Sequence, residues 1–465
     1  MSEKRLGRAV TAGLILLLVI AFALAFAAGR KTPAGETAAE ARGTAAGEAA
    51  AAARPLPEGY ALDKVVVLSR HNIRSPLSGS GSALGDITPH TWFAWTSKPS
   101  ELSVRGGALE TIMGQYFRQW LESEGLFPEN YQPEAGAVRF YANAKQRTIA
   151  TANFFSAGLL PVGQVPVETH VPYDTMDPVF SPNITFLTPA YEEAVFAQLD
   201  GLAGGTGLEG VQTGLRDAVE LMMDAADIRE SESYRSGAAG DLLRDKTEIT
   251  LELGKEPRMT GPIRTATSVA DAMTLQYYEE ADAKKAAFGH DMTPEDWRRM
   301  HAIVDAYTDL LFATPLLSVN VAHPLLQELQ AELLQQGRKF SFLCGHDSNV
   351  ASVLAALGVE DYALPETVEP KTPIGVKLVF ARCVDGSGDA WYRVSLVYQS
   401  TRQLRELALL SPENPPMEAC LRFEGVETNA DGLIAEADLL ALFDGAIGAY
   451  GDLAEDYPEE LDLAA

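Results

Sequence analysis

Val65 to Leu68 is a continuous apolar run, mostly β-branched, as expected of a strand covered on both faces. After Gly107 the period changes. Leu109, Ile112, Met113, Tyr116, Phe117, Trp120 and Leu121 recur at intervals of three and four, which predicts an amphipathic helix to Glu124, ended by Gly125. Val138–Tyr141 predicts a second strand, followed by a helix over 146–157. Phe340–Cys344 predicts another strand, with a helix over 351–357, and Val376–Ala381 and Trp391–Gln399 predict two more. Strand and helix alternate, so the fold class is α/β, a core sheet with helices on both faces. Between 187 and 315 the strand pattern is replaced by helical periodicity, as in "LRDAVELMMDAADI" and "PEDWRRMHAIVDAYTDLLFAT". That stretch reads as a helical domain inserted into a core built from 57–186 and 316–460.

The N-terminus has a different character. Lys4, Arg5 and Arg8 precede an apolar run from Ala9 to Gly29 that ends in small residues at Ala25-Phe26-Ala27. A basic flank, an apolar run and a small-residue exit make a secretory signal peptide, while the length of the run also suits an uncleaved membrane anchor through residues 9–29. Either reading exports the rest of the chain, to the periplasm or another extracytoplasmic space. Residues 30–56 are rich in Ala, Gly, Glu and Thr without aromatics, which predicts a disordered linker, with folded sequence from about Leu56.

Charge narrows the partners. The 465-residue chain has a formal net charge of −27. The first 56 residues are themselves net basic, so the acidity lies in the folded part. Nucleic acid is excluded as a partner, since it requires a broad basic face. An anion site here has to be a local island of positive charge. The three cysteines, Cys344, Cys383 and Cys420, have no metal-ligand spacing, and no metal or cofactor is called for. Cys344 reads as a buried thiol, and an exported chain leaves a Cys383–Cys420 pair open.

Two clusters supply the chemistry. "SRHNIRSP" places Arg70, His71 and Arg74 just beyond the first strand, at the sheet edge where ligands of open α/β folds sit. Two permanently charged guanidinium forks beside an imidazole suit a phosphate, and the cations favour an uncharged, nucleophilic His71. "FLCGHDSNV" places His346 and Asp347 between a strand and a helix. Asp347 or Ser348 there is either a helix cap or, for Asp347, a general acid for a departing alkoxide, with His346 adding a donor to the anion.

R-H-x-x-R-x-P early and H-D late resemble the signatures of the histidine acid phosphatases. "RHNIRSPL", "VRGGALETIMGQYFRQWL", "DTMDPVF", "ADAMTLQYYE", "GHDSNVAS" and "VYQSTRQLRE" are similar to the glucose-1-phosphatase subgroup, from about Tyr60 to Tyr450. The resemblance implies an exported phosphomonoesterase that acts through a phosphohistidine on His71, with Asp347 as proton donor. It implies phosphate binding by Arg70, Arg74, Arg147 and His346, and makes Glu279 a candidate for the sugar side. Sugar phosphates such as glucose 1-phosphate are the expected substrates. A phytase is the nearest alternative, and a superfamily mutase or a catalytically dead anion-binding envelope protein are more distant ones. This chain departs from the subgroup in lacking two cysteines around "EGVETNADGLIAEADL", so packing alone has to hold that tail.

Overall fold

The computed structural model describes residues 51–52, 55–77 and 84–459. The expected signal or anchor and most of the linker lie outside the described residues. The principal sheet contains β1 (Ala51–Ala52), β2 (Tyr60–Arg70), β3 (Val138–Ala142), β4 (Val167–Glu168), β7 (Phe340–Gly345), β8 (Lys377–Asp385), β9 (Ala390–Tyr398), β10 (Met417–Cys420) and β11 (Ile434–Ala435). Between β4 and β7 a separate hairpin joins β5 (Glu248–Thr250) and β6 (Arg258–Thr260). The order across the main sheet is β1-β10-β9-β8-β2-β7-β3-β4, with β11 also on β9. Strands β2, β7, β3 and β4 are parallel, and β8 to β10 extend the sheet in antiparallel fashion.

The alternation of side chains along β2 divides the core. Val65 and Val67 face Met113, Phe117 and Phe155, on the helices Val104–Ser123 and Gln146–Leu159. Val66 and Leu68 face Leu325, Leu329, Leu354 and Phe443, on the helices Pro315–Leu334, Asp347–Ala356 and Glu436–Asp456. Both faces of the sheet are therefore covered, as the continuous apolar strand requires. Lys64, buried one residue before the run, donates its Nζ to Leu333 O at 2.6 Å and Gln335 O at 2.9 Å, closing the end of the helix Pro315–Leu334.

Helices dominate 189–308: Pro189–Gly205, Gly207–Gly214, Arg216–Ala225, Pro262–Glu279 and Pro294–Thr308. They share a large apolar cluster that includes Met222, Met273, Trp297 and Met300. Among the described residues no single helix is long and apolar enough to cross a membrane. The tail without cysteines is held by packing of Leu439 and Phe443 and by the ion pair of Arg382 with Glu436.

Four expectations change. The helix after β7 starts at Asp347 rather than 351, and its N-cap is His346, not Asp347 or Ser348. Polar residues in the first turn hid that start from the apolar pattern. The hairpin of β5 and β6 was not expected, since three residues per strand are too few for a visible period. Ala51–Ala52, assigned to the linker, pairs with Met417 and Glu418. Edge pairing uses backbone groups, which poly-alanine supplies as well as any sequence. No disulfide joins Cys383 to Cys420, because Cys383 pairs with Trp391 and Cys420 with Ser395, leaving β9 between them.

The helices Val104–Ser123 and Gln146–Leu159 meet at paired glycines. A Cβ on Gly114 would collide with Phe155 O, and one on Gly158 with Thr111 O. Both obstacles are backbone, so neither can swing aside. Gly114→Ala is expected to destabilise the fold by about 3 kcal/mol, read from urea unfolding. An unchanged unfolding midpoint would mean the helices separate freely.

Candidate active site

Three parallel strands deliver the polar residues to one edge. β2 ends at Arg70 and is followed by His71 and Arg74; β7 leads into His346 and Asp347; β3 leads into Asn143 and then Arg147 in the first turn of its helix. The structure thus brings together six of the seven residues singled out from sequence. His71 is buried, and its Nδ1 lies 2.9 Å from the carbonyl of Asn72. A carbonyl only accepts, so Nδ1 carries the proton and Nε2 keeps its lone pair. Burial first, and then Arg147, His346, Arg74 and Arg70, hold the imidazole pKa well below its ordinary value. The sequence pointed to the cations; desolvation is the larger cause.

The loop that carries His71 is fixed from below. Asn72 Nδ2 donates to Glu110 Oε1 at 2.7 Å, and Lys377 Nζ meets the same oxygen at 2.8 Å. Glu110 and Lys377 are fully buried, and Asn72 Oδ1 accepts from Ile73 N at 2.8 Å. Lys377→Met would strand the Glu110 carboxylate, whose pKa burial already raises. The expected loss is about 4 kcal/mol near neutral pH, narrowing as acid neutralises the carboxyl, and urea unfolding at two pH values measures it.

His346 is oriented by Asn143. Asn143 Oδ1 accepts from Asp177 N at 2.9 Å, which turns its amide nitrogen to His346 Nε2 at 2.7 Å. The proton of a neutral His346 is then on Nδ1, which lies 3.4 Å from Arg147 Nη2. Two donors thus face one another without an acceptor between them, an arrangement that an anionic oxygen satisfies. Burial and Arg147 lower the pKa of His346 well below its usual value. The Nε atoms of Arg70 and Arg147 are also buried without a hydrogen-bond partner.

Carboxylates hold the guanidiniums in place. Arg70 Nη1 meets Glu369 Oε1 at 2.7 Å, and Arg70 Nη2 meets Asp347 Oδ2 at 3.3 Å. Glu369 is fixed in turn through Oε2, which accepts from Tyr278 Oη and Ile374 N, both at 2.8 Å. Arg74 Nη2 lies 3.2 Å from Asp271 Oδ2. The Asp347 side chain is one-third exposed, so it borders an opening. What burial it has raises its pKa, but Arg70, His346 and Arg74 outweigh that and keep it below the usual carboxylate value.

Glu279 is not brought to this cluster. It ends the helix Pro262–Glu279 with Oε2 3.6 Å from Arg105 Nε, where burial raises its pKa. Two turns earlier on that helix, Asp271 is the residue that reaches the site. Sequence reasoning missed Asp271, Glu369, Glu110 and Asn143. Only Asn143 had a local signal, as a polar residue directly after a buried strand.

The match to known proteins agrees with this geometry. The chain is 36% identical over 380 residues to the glucose-1-phosphatase of Salmonella typhimurium, covering 81% of this chain and 90% of that one. It is 36% identical over 383 residues to the glucose-1-phosphatase of Providencia rettgeri, with the same coverage. The solved apo phytase of Hafnia alvei superposes with a TM-score of 0.77 at 26% identity, covering 85% of this chain and 98% of that one. Residues 61–399 match the histidine phosphatase superfamily (branch 2), and the chain, a phosphoric monoester hydrolase, belongs to that family.

Proposed function

We propose that this hydrolase acts on phosphate esters of small neutral alcohols, glucose 1-phosphate first among them, through a phosphohistidine on His71. The observation that carries the reading is the free lone pair on His71 Nε2 in a pocket where Arg70, Arg74, Arg147 and His346 converge. The phosphoryl oxygens are taken by the guanidiniums and by the Nδ1 proton of His346. Nε2 attacks phosphorus, the ester P–O bond breaks, and Asp347 gives the departing oxygen its proton. Water then attacks the phosphorus while Asp347 takes a proton from it, and the P–Nε2 bond breaks, which frees His71 and releases inorganic phosphate.

Asp347 has to be protonated for the first step, although its cationic neighbours favour the carboxylate. Substrate changes that balance. A bound phosphate draws on Arg70 and adds negative charge beside Asp347, raising its pKa, and a monoanionic ester brings a proton with it.

The preference for a neutral alcohol rests on the glucose-1-phosphatase relatives and on the acidic groups around the pocket. Asp271 faces Arg74, and the charge of Asp347 acts on nearby Glu256, whose pKa is raised first by burial. A hexaphosphate, by contrast, needs further cations beyond the first phosphate. Export is part of the proposal and rests on the N-terminal apolar run. Phosphate release by the purified chain tests the substrate: glucose 1-phosphate should be turned over with a higher kcat/KM than phytate. The reverse order would make it a phytase, in line with the Hafnia alvei enzyme it superposes on.

A further inference from the structure

A line of buried ionisable groups runs behind Arg70, away from the pocket. His301 and Asp305 are one turn apart on the helix Pro294–Thr308, and both are buried. His301 Nε2 lies 3.8 Å from Asp305 Oδ1 and 3.8 Å from Glu369 Oε1. One ring nitrogen therefore faces two carboxylates and bonds to neither, while Nδ1 is buried without a partner. Glu369 Oε1 is the oxygen that also holds Arg70. Its other oxygen is fixed by Tyr278 and Ile374 N, so only Oε1 is contested.

We propose that His301 is a positioning residue whose Nε2 proton turns to Glu369 when Asp305 is protonated and to Asp305 when it is ionised, so that acid frees Arg70 for phosphate. With His301 on Glu369, Arg70 shares its carboxylate oxygen and turns more easily to an incoming anion. With His301 on Asp305, Glu369 grips Arg70 alone. Asp305 titrates in the right range, pushed up to about 6 by burial, with His301 and Lys371 opposing the rise and Asp309 and Glu369 adding to it. Lys371 is itself paired with Asp309, and the partly buried Tyr362 feels the charge of both aspartates. Arg70 from β2, Tyr278 from the helix Pro262–Glu279, Glu369 and Lys371 from the segment before β8, and Asp309 beyond the helix complete the charged and titratable surroundings.

The inference rests on Arg70 binding the phosphoryl group, so the test uses sulfate, whose charge is constant between pH 4.5 and 7.5. Its competitive inhibition constant in the wild type should weaken about five-fold from pH 5 to pH 7, with an inflection near 6. In Asp305→Asn the inflection should vanish and binding stay tight, and in His301→Gln it should vanish too. Thermal melting identifies a variant that does not fold. The wild type supplies an independent reading: by reciprocity, saturating sulfate should raise the protonation midpoint of Asp305, followed by NMR on aspartate-labelled protein. An inflection that persists in both folded variants, or an Asp305 titration indifferent to sulfate, overturns the inference. Failure of sulfate to compete at any pH would overturn the phosphate-site reading with it.

Discussion

His71→Ala should lower phosphate release from glucose 1-phosphate by about 10⁴-fold or more, with little change in folded stability. The loss is large because no neighbour can replace the nucleophile. Asn143 occupies His346 Nε2, while the Nδ1 of that ring carries its proton and faces a cation. Cys344 is fully buried in β7, where desolvation raises its thiol pKa and keeps it inert. The direct measurement is a rapid quench of enzyme with labelled substrate into alkaline detergent, because a phosphoramidate survives alkali and decays in acid. Label should appear on the wild type and be absent from the variant. Label on folded His71→Ala protein would move the nucleophile elsewhere.

The lowered pKa of His71 also sets the sign of the pH dependence. A nucleophile held neutral by burial and four cationic or polar neighbours stays active well below the ordinary range of histidine. Loss of activity on the acid side therefore belongs to other groups. For stability the sign is the usual one for a lowered histidine: the folded state resists protonation, so stability is lost as acid charges the unfolded chain first.

Much of this site was legible in the sequence because its residues follow buried strands. Arg70 and His71 follow the run Val65–Leu68 after one residue, Ser69, and His346 and Asp347 follow Phe340–Cys344 after one residue, Gly345. A polar group in such a place has left the core and reached the ligand edge. The supporting carboxylates were not legible, for a different physical reason. Glu369 meets Arg70 across a separation of 299 residues, and Glu110 meets Lys377 across 267. Glu369 lies outside any periodic stretch, and Glu110, though it shares the buried helix face of Met113 and Phe117, is charged and looks in isolation like a solvated surface glutamate. Glu279 shows how placement along one helix decides what reaches the phosphate cluster. Its helix does reach the site, but helical geometry aims Asp271 there and leaves Glu279 against Arg105. The fold was legible where apolar runs were long, as in β2 and the helix Val104–Ser123, and illegible in the two-residue and three-residue strands, which backbone pairing alone defines.

Asp347→Asn separates proton donation from mere placement near the phosphate. Asparagine keeps the size and the link to Ser348 N, which Asp347 Oδ1 now accepts at 2.9 Å, but it cannot supply a proton to the leaving oxygen. A sugar alkoxide is a poor leaving group and needs that proton as the P–O bond breaks, whereas nitrophenolate is stable without it. The phosphorylation step should therefore slow by about 10³-fold with glucose 1-phosphate and by far less with nitrophenyl phosphate. Steady-state rates would blur the contrast, because Asp347 also serves as base when water attacks the phosphohistidine. The comparison is accordingly made on single turnovers for the sugar ester and on the pre-steady-state burst of nitrophenolate. A burst that keeps its rate, followed by a slowed steady state, locates both roles on the one carboxyl. Equal losses on the two substrates would remove Asp347 from proton transfer and leave it as the electrostatic partner of Arg70 at 3.3 Å.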